Sequence, residues 1–271
     1  MKLREALADA ARRLTATSET PRLDAELLMA HALGVSREEL LLRHLNNPAP
    51  PNFEELLARR ELGEPVAYIT GLRAFWTIEL EVGPGVLIPR PDSETLIEAA
   101  LEHFGEPGPA TILDLGTGSG ALLLAALQQW PSARGVGLDT SIEAIRIARA
   151  NVRRLGLRAR ARITSGGWLG LGGPHDLILC NPPYIPAGEK LPREVADYEP
   201  AEALFAGDDG LDDYRMIAPV LRPQLASGGI ACIEIGAGQE HAVRKYFEAE
   251  GFSVSGRKDL AGHVRCLAVR P

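Results

Sequence analysis

Lysine is scarce in this chain of 271 residues: only four of its 29 basic side chains are lysines, and arginine supplies the rest. Acidic residues are more numerous than basic ones, which gives a formal net charge of -7 at pH 7. This balance argues against a protein that derives its affinity from neutralising many nucleic-acid phosphates, although it leaves room for a local basic patch. We therefore expect no direct nucleic-acid binding.

Cysteine is rare as well, and the three cysteines, Cys180, Cys232 and Cys266, lie in apolar runs without CxxC spacing. The pattern predicts buried, reduced thiols of a cytoplasmic protein. The six histidines show no ligand spacing, so no metal site is expected. No apolar run approaches the ~20 residues that span a bilayer, and the charged beginning of the chain is not a secretory signal. We expect a monomer without membrane contact.

The first 73 residues contain patterns of short helices only. Apolar residues recur at helical spacing from Leu3, and Thr20 followed by Pro21 is typical of a helix start that Gly34 would end. Ser36 to Glu39 reads as a capping box, and residues 53–62 predict a fourth helix. The sequence thus predicts a small all-α N-terminal domain over residues 1–73.

Residues 74–90 change to strand composition. The run 75–82 is rich in aromatic and β-branched residues, the glycines and proline of 83–85 are typical of a turn, and 86–88 is apolar again. We predict a β-hairpin linker over 74–90, with its turn at 83–85.

Residues 91–271 alternate between strand and helix patterns. The buried strand candidates are 112–115, 136–138, 177–180 and 230–235. Continuous apolar runs separated by helices predict an α/β fold with a doubly wound parallel sheet, whose ligands bind at the carboxyl ends of the strands. Two further runs, 252–254 and 263–269, predict a hairpin-like edge of the same sheet.

A glycine-rich segment follows the first of these strands and consists of Gly116, Thr117, Gly118, Ser119 and Gly120. Glycines at this place let the backbone turn tightly and approach a nucleotide. Asp139 ends the next strand, 23 residues after Gly116, where a carboxylate can accept hydrogen bonds from ribose hydroxyls. The loop also satisfies the loose NAD fingerprint, so NAD remains an alternative. Asp114 favours S-adenosylmethionine, because it can bind an ammonium group and would repel a pyrophosphate.

The strand at 177–180 runs directly into Asn181, Pro182, Pro183 and Tyr184. Two prolines make this segment rigid and remove two N–H donors, so that the Asn181 side-chain oxygen and the Pro182 carbonyl remain as acceptors. Two such acceptors can bind both hydrogens of a planar NH2 group and position its nitrogen for methylation, with Tyr184 packed on the planar group. The motif therefore predicts a methyltransferase that acts on an amide or aryl amine.

With these motifs, nearly the whole chain resembles the HemK/PrmC family, the protein-(glutamine-N5) methyltransferases that modify peptide-chain release factors. The matching segments are 22–28, 63–71, 88–94, 114–121, 181–185, 198–204 and 259–265. The resemblance implies a Rossmann-like class I methyltransferase fold. It also implies that S-adenosyl-L-methionine is the cofactor and that class I release factors are the partners, modified at the glutamine of their Gly-Gly-Gln motif.

By the same resemblance, residues 116–120 and Asp139 bind the cofactor, Trp168 lies at its adenine, and residues 181–184 hold the substrate glutamine. Asn181 is expected to contact the cofactor as well. The N-terminal domain would help to dock the release factor. One departure concerns the adenine contact: the family usually has an acidic residue immediately before the tryptophan, where this chain has Gly167.

Some assignments stay open. Arg90 is compatible with a role over the cofactor pocket or with a surface ion pair, whereas Asp92 reads as a helix cap, and the acidic run 208–213 as a solvated loop before a helix. The alternatives for the substrate are ribosomal protein and, with less support because of the net charge, the adenine N6 of DNA. A non-catalytic module that retains the cofactor fold is a further alternative, against which the intact motifs argue.

Overall fold

A computed structural model describes all residues, 1–271. The chain divides into two compact units, of which the first comprises Met1–Leu72 with Leu191–Tyr198 and the second comprises Arg73–Lys190 with Glu199–Pro271. None of the helices is both long enough and apolar enough to span a lipid bilayer.

The α-helices are α1 (Leu3–Arg13), α2 (Pro21–Leu33), α3 (Arg37–Glu39), α4 (Phe53–Glu61), α5 (Val66–Thr70), α6 (Glu94–Phe104), α7 (Ala121–Gln129), α8 (Ile142–Arg154), α9 (Arg193–Ala196), α10 (Asp212–Leu221) and α11 (Glu240–Ala249). The strands are β1 (Leu72–Phe75), β2 (Ile78–Glu81), β3 (Thr111–Leu115), β4 (Arg134–Asp139), β5 (Ala161–Ser165), β6 (His175–Cys180), β7 (Leu225–Glu234), β8 (Ser253–Lys258) and β9 (Val264–Arg270). Shorter 3₁₀ or π turns lie at Leu14–Ala16, Leu40–His44, Pro91–Ser93, Ala201–Ala203 and Arg222–Gln224.

Helices α1 to α4 of the first unit begin at the residues that the sequence predicts, whereas α5 and α9 were not predicted. Pro21 is the first residue of α2, and Gly34 ends that helix with a φ of 68°, a left-handed conformation that glycine adopts without strain. The Ser36 hydroxyl accepts a hydrogen bond from the N–H of Glu39 at 3.1 Å and caps α3. Apolar side chains from α1, α2 and α4 form the core of this unit.

A buried ion pair explains why residues 191–198 belong to the helical unit. The Arg60 side chain on α4 donates from Nε to Asp24 Oδ2 on α2 at 2.7 Å, and both side chains are buried. Its Nη2 lies 2.7 Å from Oε2 of Glu194 on α9. A buried guanidinium needs such partners, so the distant segment is fixed by charge. The sequence contained no local signal for this placement.

The hairpin prediction needs a correction. Its turn lies at Trp76–Thr77 between β1 and β2, and residues 83–90 contain no strand. Trp76 adopts a φ of 53°, which is uncommon for a residue with a side chain, and its N–H donates to Oε1 of Glu94 at 2.8 Å. Because a tertiary contact stabilises this turn, residues that are not typical of turns occupy it.

A seven-stranded sheet in the order β5-β4-β3-β6-β7-β9-β8 forms the centre of the second unit. Strands β3 to β7 are parallel, and β9 pairs antiparallel with both β7 and β8. This confirms the predicted doubly wound sheet with its hairpin edge. Strand β5 was not predicted, because Ile163 is its only buried residue and the strand has no apolar run.

Successive residues of the central strands pack on opposite faces of the sheet, as the twofold period of a strand requires. Ile112 and Leu177 contribute to the core that packs under α6, α7 and α8. Leu113 and Ile178 contribute to the core on the other face, with residues of α10 and α11. Cys180, Cys232 and Cys266 are buried as free thiols. Both faces of the sheet are covered by apolar cores, so polar ligands can reach the sheet only at the ends of its strands.

The chain reverses its direction of travel across the sheet between β3 and β6. Leu115 pairs with Leu138 on one side and with Cys180 on the other. Cys180 in turn pairs with Ile233 of β7. The residues that follow these positions therefore leave the sheet side by side, at the switch point where ligands bind in this class of sheet.

Candidate active site

A cavity of about 500 Å³ opens at this switch point, within the second unit. Its size is typical of small-molecule sites. The loops after β3, β4 and β6 line it, together with residues 85–89 and 200–205. Of the predicted site residues, those in contact with the cavity are Gly116, Thr117, Gly118, Ser119, Asp139, Trp168, Asn181 and Pro183. Gly120 is the N-cap of α7, and like Pro182 and Tyr184 it does not line the cavity.

The glycine loop depends on conformations that other residues adopt with strain. Gly116, Gly118 and Gly120 have φ values of 69°, 54° and 87°. A Cβ on Gly116 would lie 3.2 Å from Cη2 of Trp168, so the absence of a side chain also leaves room for the indole ring. The Thr117 N–H donates to the Leu138 carbonyl at 2.8 Å and fixes the loop over the end of β4.

Asp139 connects the glycine loop to the start of α8. Its Oδ2 accepts a hydrogen bond from the Gly118 N–H at 2.9 Å, and its Oδ1 accepts one from the Ser141 N–H at 2.9 Å. A carboxylate offers about four acceptor positions, so each oxygen can accept one further hydrogen bond. Because Asp139 lines the cavity, this remaining capacity is directed at a ligand.

Trp168 lines the cavity next to Gly116 of the glycine loop, and Asp213 fixes its ring. Its Nε1 donates to Oδ1 of Asp213 at 2.9 Å, and Asp213 itself lines the cavity. Burial raises the pKa of Asp213, and the indole N–H partly offsets this effect. The sequence predicts a solvated loop for the acidic run 208–213. Asp213 instead lies in the first turn of α10 and is half-buried. It supplies a carboxylate near Trp168, where the preceding residue Gly167 provides none.

Asp114 does not line the cavity, and its contact with an ammonium group stays a prediction. It is 1% exposed, and its Oδ2 accepts a hydrogen bond from the Thr117 hydroxyl at 2.5 Å. Burial raises its pKa to about 7, an effect that the Thr117 hydroxyl reduces. Asp114 therefore supports the loop from below.

Asn181 turns its side chain towards the cavity from the end of β6. Its Nδ2 donates to the Ser93 hydroxyl at 3.2 Å, and no group of the chain donates to its Oδ1. The Tyr184 hydroxyl donates to Oε1 of Glu234 at 3.4 Å, and the Tyr184 carbonyl accepts from Nε2 of Gln239. Burial raises the pKa of Tyr184, which keeps its hydroxyl a donor. The motif thus offers one free acceptor oxygen to the cavity and is held by its last residue.

Arg90 forms an ion pair with a buried acid. Its Nη2 donates to Oε1 of Glu199 at 2.5 Å, and Oε2 of Glu199 accepts from the Ile88 N–H at 3.0 Å. The Glu199 side chain is 1% exposed, so the guanidinium supplies its compensating charge. Both hydrogen bonds fix residues 86–90, three of which line the cavity, which favours a role for Arg90 over the pocket.

Four residues of this site were not singled out from the sequence: Ser93, Glu199, Asp213 and Glu234. Ser93 and Glu199 occurred only within matching segments, and Asp213 only within the acidic run 208–213. Glu234 had a detectable signal, since it is the one charged residue in the apolar run 230–235 and stands at the carboxyl end of a strand. A carboxylate at that position is expensive to bury, and such groups concentrate at functional sites.

Two family comparisons cover most of the chain. The PrmC N-terminal domain matches residues 5–71, and the methyltransferase small domain matches residues 92–197. A release factor glutamine methyltransferase of Rhodospirillum rubrum is 44% identical over 93% of this chain and 79% of its own length. One from Moorella thermoacetica is 40% identical over 98% of both chains.

Solved structures of methyltransferases share the fold over much of the chain. A methyltransferase from Pyrococcus furiosus has a TM-score of 0.54 at 19% identity and covers 80% of this chain and 97% of its own. The ribosomal protein L11 methylase of Lactobacillus delbrueckii has a TM-score of 0.52 at 21% identity and covers 70% and 83%. At such identities the likeness establishes the fold only.

The sheet order, the loop at its switch point and these comparisons define an enzyme with the class I methyltransferase fold. Within that class, the identity along almost the entire chain decides the family. The chain belongs to the release factor glutamine methyltransferases.

Proposed function

We propose that the enzyme transfers a methyl group from S-adenosyl-L-methionine to the side-chain amide nitrogen of a glutamine, the one in the Gly-Gly-Gln motif of class I release factors. The observation on which this proposal depends most is geometric. Gly116 and Asn181 follow the paired residues Leu115 and Cys180, so a nucleotide-type loop and an amide acceptor line one cavity. The family supplies the identity of the substrate.

The residues present fit the cofactor. The cavity of about 500 Å³ suits a molecule of this size, and the glycine loop offers close backbone approach. Asp139 has spare acceptor capacity for two ribose hydroxyls, and the Trp168 ring lies 3.2 Å from where a Gly116 Cβ would be, on the wall where an adenine can stack. When bound, S-adenosylmethionine supplies an electrophilic methyl group on its sulfonium.

The chain's own residues position the acceptor nitrogen. An amide nitrogen is a weak nucleophile because its lone pair is delocalised into the carbonyl. Oδ1 of Asn181, which accepts no hydrogen bond from the protein, accepts one N–H of the glutamine side chain. Pro182 does not itself line the cavity, but it lies between Asn181 and Pro183, which do, and its carbonyl is the proposed acceptor of the other N–H. Both contacts strengthen as positive charge develops on the nitrogen, so they stabilise the transition state more than the bound substrate.

The test is incubation of the enzyme with the cofactor and a purified class I release factor, followed by mass analysis of the tryptic Gly-Gly-Gln peptide. We expect a gain of one methyl group on glutamine. A release factor with asparagine in place of that glutamine is the matched control and stays unmodified. Methylation of ribosomal protein or duplex DNA in parallel reactions, with none on the release factor, would contradict the proposal.

The role of Asn181 has a separate test. We expect Asn181→Ala to lower kcat by about 100-fold, the size of effect seen when one preorganised transition-state contact is lost, while cofactor affinity measured by calorimetry changes little. Cofactor binding that is abolished while turnover persists would contradict this role.

We also propose that the helical unit, residues 1–72 with 191–198, helps to dock the release factor, in a cytoplasmic monomer. The match of residues 5–71 to a domain specific to this family supports the docking role, because the catalytic motifs alone do not distinguish one protein glutamine from another. The test is to alter the exposed surface of this unit and to measure KM for the release factor and for a short Gly-Gly-Gln peptide. A docking role predicts that only KM for the release factor increases.

A further inference from the structure

We propose that Ser93 and Glu234 are positioning residues, which fix the Asn181 side-chain amide with its oxygen towards the substrate. The inference rests on the proposed function, since it concerns the same amide acceptor. It adds two residues whose roles follow from hydrogen-bond polarity.

The register of the sheet brings Glu234 next to the catalytic motif. Cys180 pairs with Ile233, so the residues that follow them, Asn181 and Glu234, are neighbours at the carboxyl ends of β6 and β7. Ser93 ends the short 3₁₀ turn before α6 and lines the cavity. Ser93 is 3% exposed and Glu234 is 1% exposed, so water competes little for their hydrogen bonds.

The three side chains form a chain of donors and acceptors. Asn181 Nδ2 donates to Ser93 Oγ at 3.2 Å, and the hydroxyl hydrogen of Ser93 has no other acceptor in the protein. Oε2 of Glu234 is buried without a hydrogen-bond partner. Burial raises the pKa of Glu234 to about 7, and the Ser93 side chain is the leading influence that lowers it. Ser93 thus has a donor without an acceptor and Glu234 an acceptor without a donor, and the proposed relay pairs the two.

The direction of this relay determines which end of the Asn181 amide faces the cavity. A carboxylate only accepts hydrogen bonds, so Ser93 must donate to Glu234 and can only accept from Asn181. Asn181 must then turn its NH2 group to Ser93 and its oxygen to the substrate NH2. Without the carboxylate, Ser93 can donate to the Asn181 oxygen instead, and the amide can turn by 180°. Two NH2 groups would then face each other, and substrate would not be positioned.

Tyr184 extends the same arrangement. Its hydroxyl donates to Oε1 of Glu234, so the first and last residues of the Asn-Pro-Pro-Tyr motif both depend on this acid. Hydrogen-bonding partners behind a functional group commonly change activity by 10–100-fold when they are removed, although they never touch the substrate.

The experiment compares Ser93→Ala, Ser93→Thr and Glu234→Gln with Thr95→Val as the matched control. Thr95 is a buried hydroxyl of the neighbouring turn that donates to the Asp92 carbonyl at 2.6 Å and has no contact with Asn181. We expect S93A and E234Q to lower kcat by about 10–100-fold, with KM for the release factor and the cofactor Kd within threefold of wild type. S93T, which keeps the hydroxyl, should recover most of the loss. T95V should lower thermal stability more than kcat.

The double variant S93A/E234Q should be little worse than the poorer single variant, because both changes break one relay. E234Q is also expected to fold, since it replaces a buried charge by an isosteric amide. A kcat within twofold of wild type for S93A or E234Q, or an equal loss in T95V, would overturn the proposal.

A second readout needs no turnover. In the free enzyme, the side-chain NH2 resonances of Asn181, identified by their absence in N181A, should shift in both S93A and E234Q and keep their positions in T95V. Unchanged resonances in S93A and E234Q would refute the relay. If the wild type fails to methylate any release factor while these shifts occur, the proposed function fails and the relay stands.

Discussion

Gly118 donates its backbone N–H to Oδ2 of Asp139 at 2.9 Å, so the acid that ends β4 holds the loop that follows β3. This hydrogen bond joins two motifs 21 residues apart and prepares both for one ligand. Asp139 consequently has a structural role beside the cofactor-binding role that we propose for it.

We expect Asp139→Ala to weaken cofactor binding by about 10–100-fold, because hydrogen bonds to a charged group contribute about 1.5–3 kcal/mol each. Asp139→Asn keeps one acceptor oxygen, so its cofactor affinity should lie between those of the wild type and Asp139→Ala. Calorimetric titration with the cofactor measures the effect, and Asp208→Ala, an exposed acid without partners, is the control. An unchanged dissociation constant in D139A would refute the ribose role.

Gly116→Ala should weaken cofactor binding through Trp168. Alanine at a φ of 69° costs about 1–2 kcal/mol, and its Cβ would also lie 3.2 Å from the indole ring. Gly34→Ala is the matched control, since its φ of 68° imposes the same backbone strain with no atom within 4 Å of the new Cβ. Both variants should lose similar stability in urea unfolding, but only G116A should change the intrinsic tryptophan fluorescence and the cofactor affinity. Equal affinities would show that the ring moves away freely.

Arg90→Ala should destabilise the protein, because it leaves the buried carboxylate of Glu199 without its cation. We expect a loss of about 2 kcal/mol in the free energy of unfolding, below the 3–5 kcal/mol of a fully buried pair because Arg90 is 34% exposed. Residues 86–90 should loosen as well and weaken cofactor binding. The double variant Arg90→Ala/Glu199→Gln tests the cause: it should regain stability, and a further loss would contradict the uncompensated charge.

The pH dependence of kcat should report the titration of Glu234. Burial raises its pKa to about 7, with Ser93, Arg265 and Tyr184 lowering it and Asp92 raising it. The relay needs the ionised acid, which exists above this pKa, so kcat at saturating substrates should rise as pH increases through about 7 and then level off.

In E234Q this rise should disappear, and kcat should stay low on both sides of pH 7. Burial raises the pKa of Asp114 to about 7 as well. Asp114 does not line the cavity, so we expect its titration to leave kcat unchanged. A rise that persists unaltered in E234Q would assign the titration to another group.

Local patterns were sufficient for most of the fold. The continuous apolar runs located β3, β4, β6 and β7, because a strand buried on both faces needs apolar residues at every position. The edge strand β5 was not predicted, since only its residue Ile163 is buried in the core. The turn at Trp76 was not predicted either, because its stability depends on a hydrogen bond to Glu94, 18 residues away.

The candidate site was predictable in part for the same reason. The glycine loop and Asn181 follow strands directly and Asp139 ends one, so their place is set by these strands. The partners that orient them lie far away along the chain: Ser93 is 88 residues from Asn181, and Glu199 is 109 residues from Arg90. The pattern of apolar and polar residues along the sequence cannot specify such pairs, since many other polar residues of the chain would fit that pattern equally well.

The sequence by itself determined the class of fold, the family and the kind of atom that each motif offers, because strand period, glycine freedom and proline rigidity are local properties. Only the tertiary structure decided that Asn181 and Glu234 are neighbours and that Asn181 donates to Ser93. It also decided that Asp114 is buried beneath the loop and does not line the cavity. These outcomes depend on strand register and burial, which arise when distant segments pack together.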